Sequence, residues 1–342
     1  MDKKNITIYD ISEKLNISAA TVSRALNDDP KVSQATKELV LKTAKEMNYK
    51  QNKLAKALKS GSTKNVGIIV PYINTNFFSS VIRGVEEELT PQGYHVIICQ
   101  SHEDYSVEIK QLNTLLNAQV DCIFMSLSKT TLNTDYITRA LNTNNTPIIF
   151  FDRKKDISGI SSVTIDDYKG GYLATEHLIK QGCKNICHFS GNHNLEIYQQ
   201  RYNGYADALK AYGLTLKEDY IITTASSIES GADAVRKLWD RDDVPDAIFS
   251  SSDFAALGAC KELKAKGINI PNEVAVIGFS NEPFTEYMEM PMSSVDQTPV
   301  LMGKMAGQVF LEGINESNSG MNIQKKVVLK PELLIRKSSL RK

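Results

Sequence analysis

The residues whose types and spacing best suit chemistry lie near the start, in Ser18-Ala19-Ala20-Thr21-Val22-Ser23-Arg24. With Val22, Ala25 and Leu26 turned inward, a helix here presents Ala19, Ala20, Thr21, Ser23 and Arg24 outward. Small side chains let such a helix lie close to a DNA groove. Alanine and threonine methyls can touch thymine methyls, and an arginine can bond guanine O6 and N7. Thr21, Ser23 and the helix N-terminus suit phosphate oxygens. The chemistry would be non-covalent reading of double-stranded DNA, although a generic three-helix protein-binding module has similar spacing.

Three short helices must position these groups. Thr7 can cap the first, with Asp10 as an acidic capping-box partner, and Ile8, Ile11 and Leu15 share one face. Asn16 suits a left-handed stop. Ser18 caps the second helix, Asn27-Asp28-Asp29-Pro30 is a loop, and Ser33 caps a third helix to about Met47. Ala35, Leu39, Val40, Ala44 and Met47 are expected on its inner stripe. This is helix-turn-helix spacing, in which the second helix enters the major groove. Asn52 to Gly61 then reads as a capped helix of about seven residues, too short to stand alone in water. Its apolar face, Leu54, Ala57 and Leu58, needs a partner, and its lysines need phosphates or solvent. A solvated linker is the alternative.

Charge separates this head from the rest. Residues 1–64 hold 13 Lys and Arg against 7 Asp and Glu, whereas the remainder holds 27 against 33. Only the head is expected to meet a polyanion, with Lys50, Lys53, Lys56, Lys59 and Lys64 supplying a salt-dependent term.

The run ITIYDISEKLNISAATVSRALNDDPKVSQATKELVLKTAKEMNY, followed by NKLAKALKSG, resembles the DNA-binding head and hinge of the lactose/galactose repressor (LacI/GalR) family. The resemblance implies a homodimer on a pseudo-palindromic operator, with paired hinge helices in the minor groove. It adds Thr7, Ser18, Asn27, Asn52, Lys53, Ala55, Leu58 and Lys59 to the DNA-facing set. Leu58 matches the family's wedging leucine, and Ala19 and Ala20 occupy positions that vary with operator preference.

From Asn65 the pattern changes. Apolar runs at 66–70, 96–99, 122–125 and 148–151, then at 186–189, 220–223, 247–249 and 274–279, alternate with amphipathic stretches. That alternation argues for two α/β lobes with parallel doubly wound sheets and a ligand cleft between them. The motifs VGIIVPYINTNFFSSVIRGVEEEL, PIIFFDR, VTIDDYKGGYLATEHLI, QQRYNGYADAL, SSSDFAALGA and VAVIGFSNEP resemble the periplasmic-binding-protein-like body of the same family. The expected organisation is a helix-turn-helix domain at 1–50 and a hinge at 51–63. A first lobe at 64–161 plus 297–324 and a second at 162–296 plus 325–342 complete it.

The resemblance implies an effector site built from Asn76, Phe77, Phe78, Asp152, Arg153, Arg201, Ser252, Asp253, Ser280 and Asn281. Phe77 and Phe78 are either a stacking surface or core. Arg201, in an R-x-x-G-Y motif, matches the family's ligand-contacting arginine, and Asp253 either contacts ligand or caps its own helix. The chain departs from the family at Gly278-Phe279-Ser280-Asn281, where many members carry Gly-Phe/Tyr-Asp. Ser280 or Asn281 would then supply neutral hydrogen bonds. Arg153 and Arg201, less opposed by acid, would favour an acidic or phosphorylated sugar.

No phosphate loop, GxGxxG after a strand, HExxH or GxSxG occurs, so no catalytic role, metal or cofactor is expected. Cys183-x3-Cys187-His188 alternates as a strand and reads as structural. The start lacks an apolar leader and no run is long enough to span a membrane, so the expectation is a cytoplasmic protein without membrane contact. The closing KSSLRK leaves no room for a leucine-heptad tail, which favours a dimer. The reading is a transcriptional repressor controlled by a sugar or sugar derivative. The competing readings are a solute-binding transport component and a regulator switched by a partner protein.

Overall fold

The computed structural model describes residues 6–50, 61–144, 146–241, 243–318 and 323–341. The chain forms two units, Met1–Thr63 and Lys64–Lys342.

The head contains α1 (Ile8–Leu15), α2 (Ala19–Leu26) and α3 (Gln34–Glu46). The Thr7 N–H donates to Asp10 Oδ2 at 2.7 Å, and Asn16 ends α1 at φ 50°. Ser18 and Ser33 accept from the N–H groups of Thr21 and Thr36, capping α2 and α3. Ile11, Val22, Ala25, Val40 and Ala44 form the core. The α3 stripe differs from expectation, because Ala35 and Leu39 are exposed and Thr43 is buried. Positions 40, 43, 44 and 47 follow the 3.6-residue period, whereas 35 and 39 lie a step around the helix from it. The hinge residues Asn52, Lys53, Ala55, Leu58 and Lys59 lie outside the described residues.

The body alternates strand and helix: β1 (Asn65–Val70), α4 (Asn76–Leu89), β2 (His95–Gln100), α5 (Tyr105–Asn117), β3 (Ile123–Met125), α6 (Asp135–Thr143), β4 (Ile148–Phe151) and β5 (Ser161–Ile165). The chain then continues through α7 (Asp167–Lys180), β6 (Ile186–Ser190), α8 (Glu196–Ala211), β7 (Ile221–Thr223), α9 (Ile228–Trp239), β8 (Ala247–Ser250), α10 (Asp253–Ala265) and β9 (Ala275–Phe279). It ends with α11 (Phe284–Tyr287), β10 (Ser293–Asp296), α12 (Pro299–Asn318), β11 (Lys326–Leu329) and β12 (Glu332–Leu334).

Two six-stranded sheets result, in the orders β11-β5-β4-β3-β1-β2 and β12-β10-β9-β8-β6-β7. Among the described residues all strand pairings are parallel except β10 with β12. Buried runs such as Ile148–Phe151 are apolar throughout because helices cover both faces of each sheet. The chain passes between lobes after β5, β10 and β11. Two expected lobe boundaries therefore move. Residues 162–165 and 325–329 belong to the first lobe, since β5 pairs with β4 and β11 pairs with β5. Ser161–Ile165 ends in three β-branched residues and forms a strand that runs across the expected boundary at 161/162.

Glycines fix the close helix crossings. A Cβ on Gly204 of α8 would meet the Tyr168 carbonyl at 2.1 Å, and one on Gly171 of α7 would meet the Arg201 carbonyl at 2.2 Å. The α7–α8 contact that sets the height of Arg201 is thus a backbone-to-backbone approach.

Candidate nucleic-acid face and interlobe cleft

On α2, Val22 and Ala25 are buried, Ala20 and Arg24 are exposed one turn apart, and Ala19, Thr21 and Ser23 are half-buried. Ser18 Oγ lies 2.8 Å from Thr21 Oγ1, and Asn27 Nδ2 donates to the Ser23 carbonyl at 2.7 Å. The Thr7 hydroxyl donates to Asp10 at 2.6 Å. The hydroxyls thus shape the helix ends, while Ala20 and Arg24 form the projecting edge. Lys64 belongs to the body, with its ammonium 4.1 Å from the centre of the Tyr94 ring.

In the body, carboxyl ends of strands from both sheets face a cavity of about 290 Å³. Asp152, Arg153, Asp166, Asp167, Glu196 and Gln200 line it, together with Lys129, Lys154, Lys155 and Lys326. Of the expected site residues only Asp152 and Arg153 reach this wall. Asp152, at φ 59°, accepts a bond from Ser126 Oγ at 3.2 Å. Burial pushes its carboxyl up, against the pull of Arg153 and Arg201.

Both arginines are matched by acid, contrary to expectation. Arg153 Nη1 donates to Glu103 Oε1 at 2.9 Å and lies over Phe78, 5.9 Å from the ring centre. Arg201 is 3% exposed. Its Nε donates to Asp167 Oδ1 at 2.7 Å, its Nη1 to the Ser251 carbonyl at 3.0 Å and its Nη2 to Gln297 Oε1 at 3.2 Å. The guanidinium also stacks 3.7 Å from the centre of Phe279. Burial raises the Asp167 carboxyl and Arg201 opposes that rise. Arg201 therefore ties the start of α7, the end of β8 and the crossing after β10 together beneath the cavity. The two arginines themselves therefore do not form an unopposed positive pair for a phosphate.

Other expected contacts serve the scaffold. Phe77 and Phe78 are 8% and 6% exposed and belong to the first-lobe core, because α4 starts at Asn76 and turns both rings inward. Ser252 is the N-cap position of α10. Asp253 is not a cap of its own helix: its Oδ2 accepts the Glu282 N–H at 2.7 Å and its Oδ1 accepts from Ser294 Oγ at 2.7 Å. Ser280 accepts from Gln297 Nε2 at 2.9 Å, and the Asn281 side chain bonds Asp296 and Arg336, each at 2.9 Å.

Several groups escaped the sequence reading. Asp166, Asp167 and Glu196 line the cavity, and Gln297 and Glu103 orient the arginines. The adjacent Asp166-Asp167 pair before a helix was a usable signal; the Asp166 carboxylate caps α7 by accepting the Lys169 N–H at 2.8 Å. His188, wholly buried, stacks between Tyr205 and Phe249 beneath Arg201 with ring centres 5.0 and 4.8 Å away. Burial pushes it down to about 3, so it is a neutral packing element.

Comparison with known proteins agrees with both units. Residues 7–52 match the family described as bacterial regulatory proteins, lacI family. Residues 63–331 match the periplasmic binding proteins and sugar binding domain of LacI family. Catabolite control protein A of Priestia megaterium is 33% identical over 321 residues, covering 93% of this chain and 96% of its own. The transcriptional repressor PurR of Haemophilus influenzae is 30% identical, covering 97% and 98%. Among solved structures, the regulator CelR in complex with cellobiose superposes with a TM-score of 0.72 at 27% identity, covering 98% of this chain and 100% of that one. The lac repressor dimer bound to operator and an anti-inducer superposes at 0.87 with 21% identity, covering 99% and 100%, a likeness of fold. The capped α2, the two-sheet body and these matches together place the chain in the lacI family of bacterial regulatory proteins, as a DNA-binding transcriptional regulator that responds to a metabolite.

Proposed function

We infer that the protein is a repressor that binds a pseudo-palindromic operator as a homodimer and is controlled by a small polyhydroxylated ligand in the interlobe cleft. The observation that carries this reading is α2, a capped helix whose projecting edge is Ala20 and Arg24. Two alanines supply methyl contacts without hydrogen bonds, which leaves Arg24 as the helix's strongest base-reading group. The hinge, Leu58 above all, is proposed to supply central minor-groove contacts.

The cleft supports a neutral, hydroxyl-rich ligand such as a sugar. Its wall carries both carboxylates and lysines, and Arg153 on the wall and Arg201 behind Asp167 are already paired with acids, which supports a ligand whose hydroxyls both donate and accept. Apolar surface on both lobes supports the dimer. Ile97 and Ile98 stand 37% and 45% exposed on edge strand β2, and Tyr287 is 81% exposed on the second lobe.

Selection of sites from random duplex DNA by the full chain should return symmetric half-sites. Arg24→Ala should lower discrimination among them by roughly 1–3 kcal/mol. Unchanged site preference in that variant would defeat the recognition-helix assignment. In the same preparation, a sugar at about 100 times its dissociation constant should stabilise the body by about 2.7 kcal/mol. Stabilisation by sugar phosphates alone would overturn the neutral-ligand reading.

A further inference from the structure

The connection between β3 and α6, residues 126–134, contains neither helix nor strand, yet Leu127, Ser128, Lys129 and Thr131 form part of the cavity wall. A connection keeps one shape only when its polar groups find fixed partners. Most come here from one neighbouring segment, residues 101–108, at the end of β2 and the start of α5. The Ser128 N–H donates to Glu108 Oε2 at 2.6 Å, and the Lys129 N–H to Glu103 Oε2 at 2.7 Å. Thr131 Oγ1 donates to Glu108 Oε1 at 2.7 Å, and Thr130 Oγ1 to the Glu103 carbonyl at 2.7 Å. Ser128 Oγ donates to Ser101 Oγ at 2.8 Å.

Glu108 is the centre of this arrangement. It is 0% exposed in the first turn of α5, where the helix dipole favours an acid. Its carboxylate takes three donors, the third being Tyr136 Oη of α6 at 2.6 Å, and all three are neutral groups. A buried carboxylate is costly without partners, and bonds to a charged acceptor are stronger than neutral ones. The loop is therefore held by the same donors that allow Glu108 to be buried. Glu103 extends the hold to Arg153, whose Nη1 donates to Glu103 Oε1 at 2.9 Å and to the Leu127 carbonyl at 3.3 Å. His102 and Glu103 have φ values of 53° and 59°, a conformation costly for non-glycine residues that persists where surrounding bonds fix it.

We propose that Glu108 is a positioning residue for the cleft, a buried carboxylate that holds residues 128–131 in the shape that forms the first-lobe wall. Glu103 assists by tying that wall to Arg153. This role rests on the reading of the cavity as the effector site, but the anchoring itself can be measured without a ligand. It bears on selectivity. The amides of Ser128 and Lys129 and the hydroxyls of Ser128, Thr130 and Thr131 are all engaged by the scaffold. Ligand hydroxyls therefore meet a fixed contour and the Lys129 side chain at this wall, not those two backbone donors.

The test compares Glu108→Gln, Glu108→Ala, Thr131→Val and Tyr136→Phe with wild type in the full chain. Hydrogen–deuterium exchange is measured without ligand, and thermal shift with glucose, galactose, ribose and sucrose as probes. In Glu108→Gln the side-chain oxygen can still accept the Ser128 N–H, and the amide can donate to both hydroxyls, which rotate to accept. Exchange at Ser128 and Lys129 should rise about tenfold in Glu108→Ala and stay within about threefold of wild type in Glu108→Gln. Tyr136→Phe removes only the α6 donor, so its thermal midpoint should fall while those two amides stay protected. Wild-type exchange at both amides in Glu108→Ala would overturn the proposal. An equal rise in Tyr136→Phe would also overturn it, by making the effect one of general destabilisation. Should Glu108→Ala fail to fold, Thr131→Val decides: faster exchange at Ser128 supports the anchoring, and unchanged exchange overturns it. A probe sugar that raises the wild-type midpoint should raise that of Glu108→Gln equally and that of Glu108→Ala less. An equal shift in all three would overturn the role in the cleft. If no probe shifts wild type, the effector reading alone loses support, and exchange still decides the anchoring.

Discussion

Arg201 shows how far a single side chain could be read in advance. The R-x-x-G-Y motif marked it for the cleft, but the structure makes it a strut, with all three nitrogens bonded and a ring beneath it. Removing one partner from a buried ion pair costs about 3–5 kcal/mol, because the other charge is stranded. Arg201→Ala should therefore lower the thermal midpoint by roughly 10 °C as well as abolish effector response. A melting curve that matches wild type would contradict the pairing with Asp167. Arg201→Met combined with Asp167→Asn should recover part of the loss. The partners were not legible because Asp167 and Gln297 lie 34 and 96 residues away, and Glu103 lies 50 residues before Arg153. Only sheet order brings such positions together, and a lone sequence has no local pattern that records it.

At the scale of elements, strong periods were read well and weak ones were not. Strands such as Ile148–Phe151 stood out because both faces are buried, whereas β5, rich in serine and threonine, is not among the apolar runs. The α3 stripe was misplaced by one step because Leu39 is apolar yet 49% exposed. Helix glycines give a sharper test, since the substitution's sign depends on the neighbours. In an open helix, Gly→Ala stabilises by about 0.8–1.0 kcal/mol. Gly313 of α12 has nothing within 4 Å of an added Cβ and should behave in that way. Gly204→Ala should instead destabilise by roughly 1–3 kcal/mol, because its methyl would press on the Tyr168 carbonyl. Denaturant midpoints that move in the same direction for both variants would refute the close crossing of α7 and α8.

For the whole molecule, the division between a basic head and an acidic body is visible in composition alone. It makes DNA affinity dependent on salt through the head. Raising salt from 50 to 200 mM should weaken operator binding by about 10³–10⁵ if two heads together neutralise six to ten phosphates. A fall of less than about tenfold by fluorescence anisotropy would mean that the lysines play little part. The three passages between lobes carry a further consequence for how the protein is made. The first lobe begins with β1 but is completed by α12 and β11, which lie beyond the entire second-lobe run from α7 to β10. On a ribosome adding roughly 5–20 residues per second, on the order of 10–50 s separate the emergence of β1 from that of α12. During that interval the α4 surface that α12 will cover is exposed. Nascent chains stalled before Pro299 are consequently the forms most in need of a chaperone.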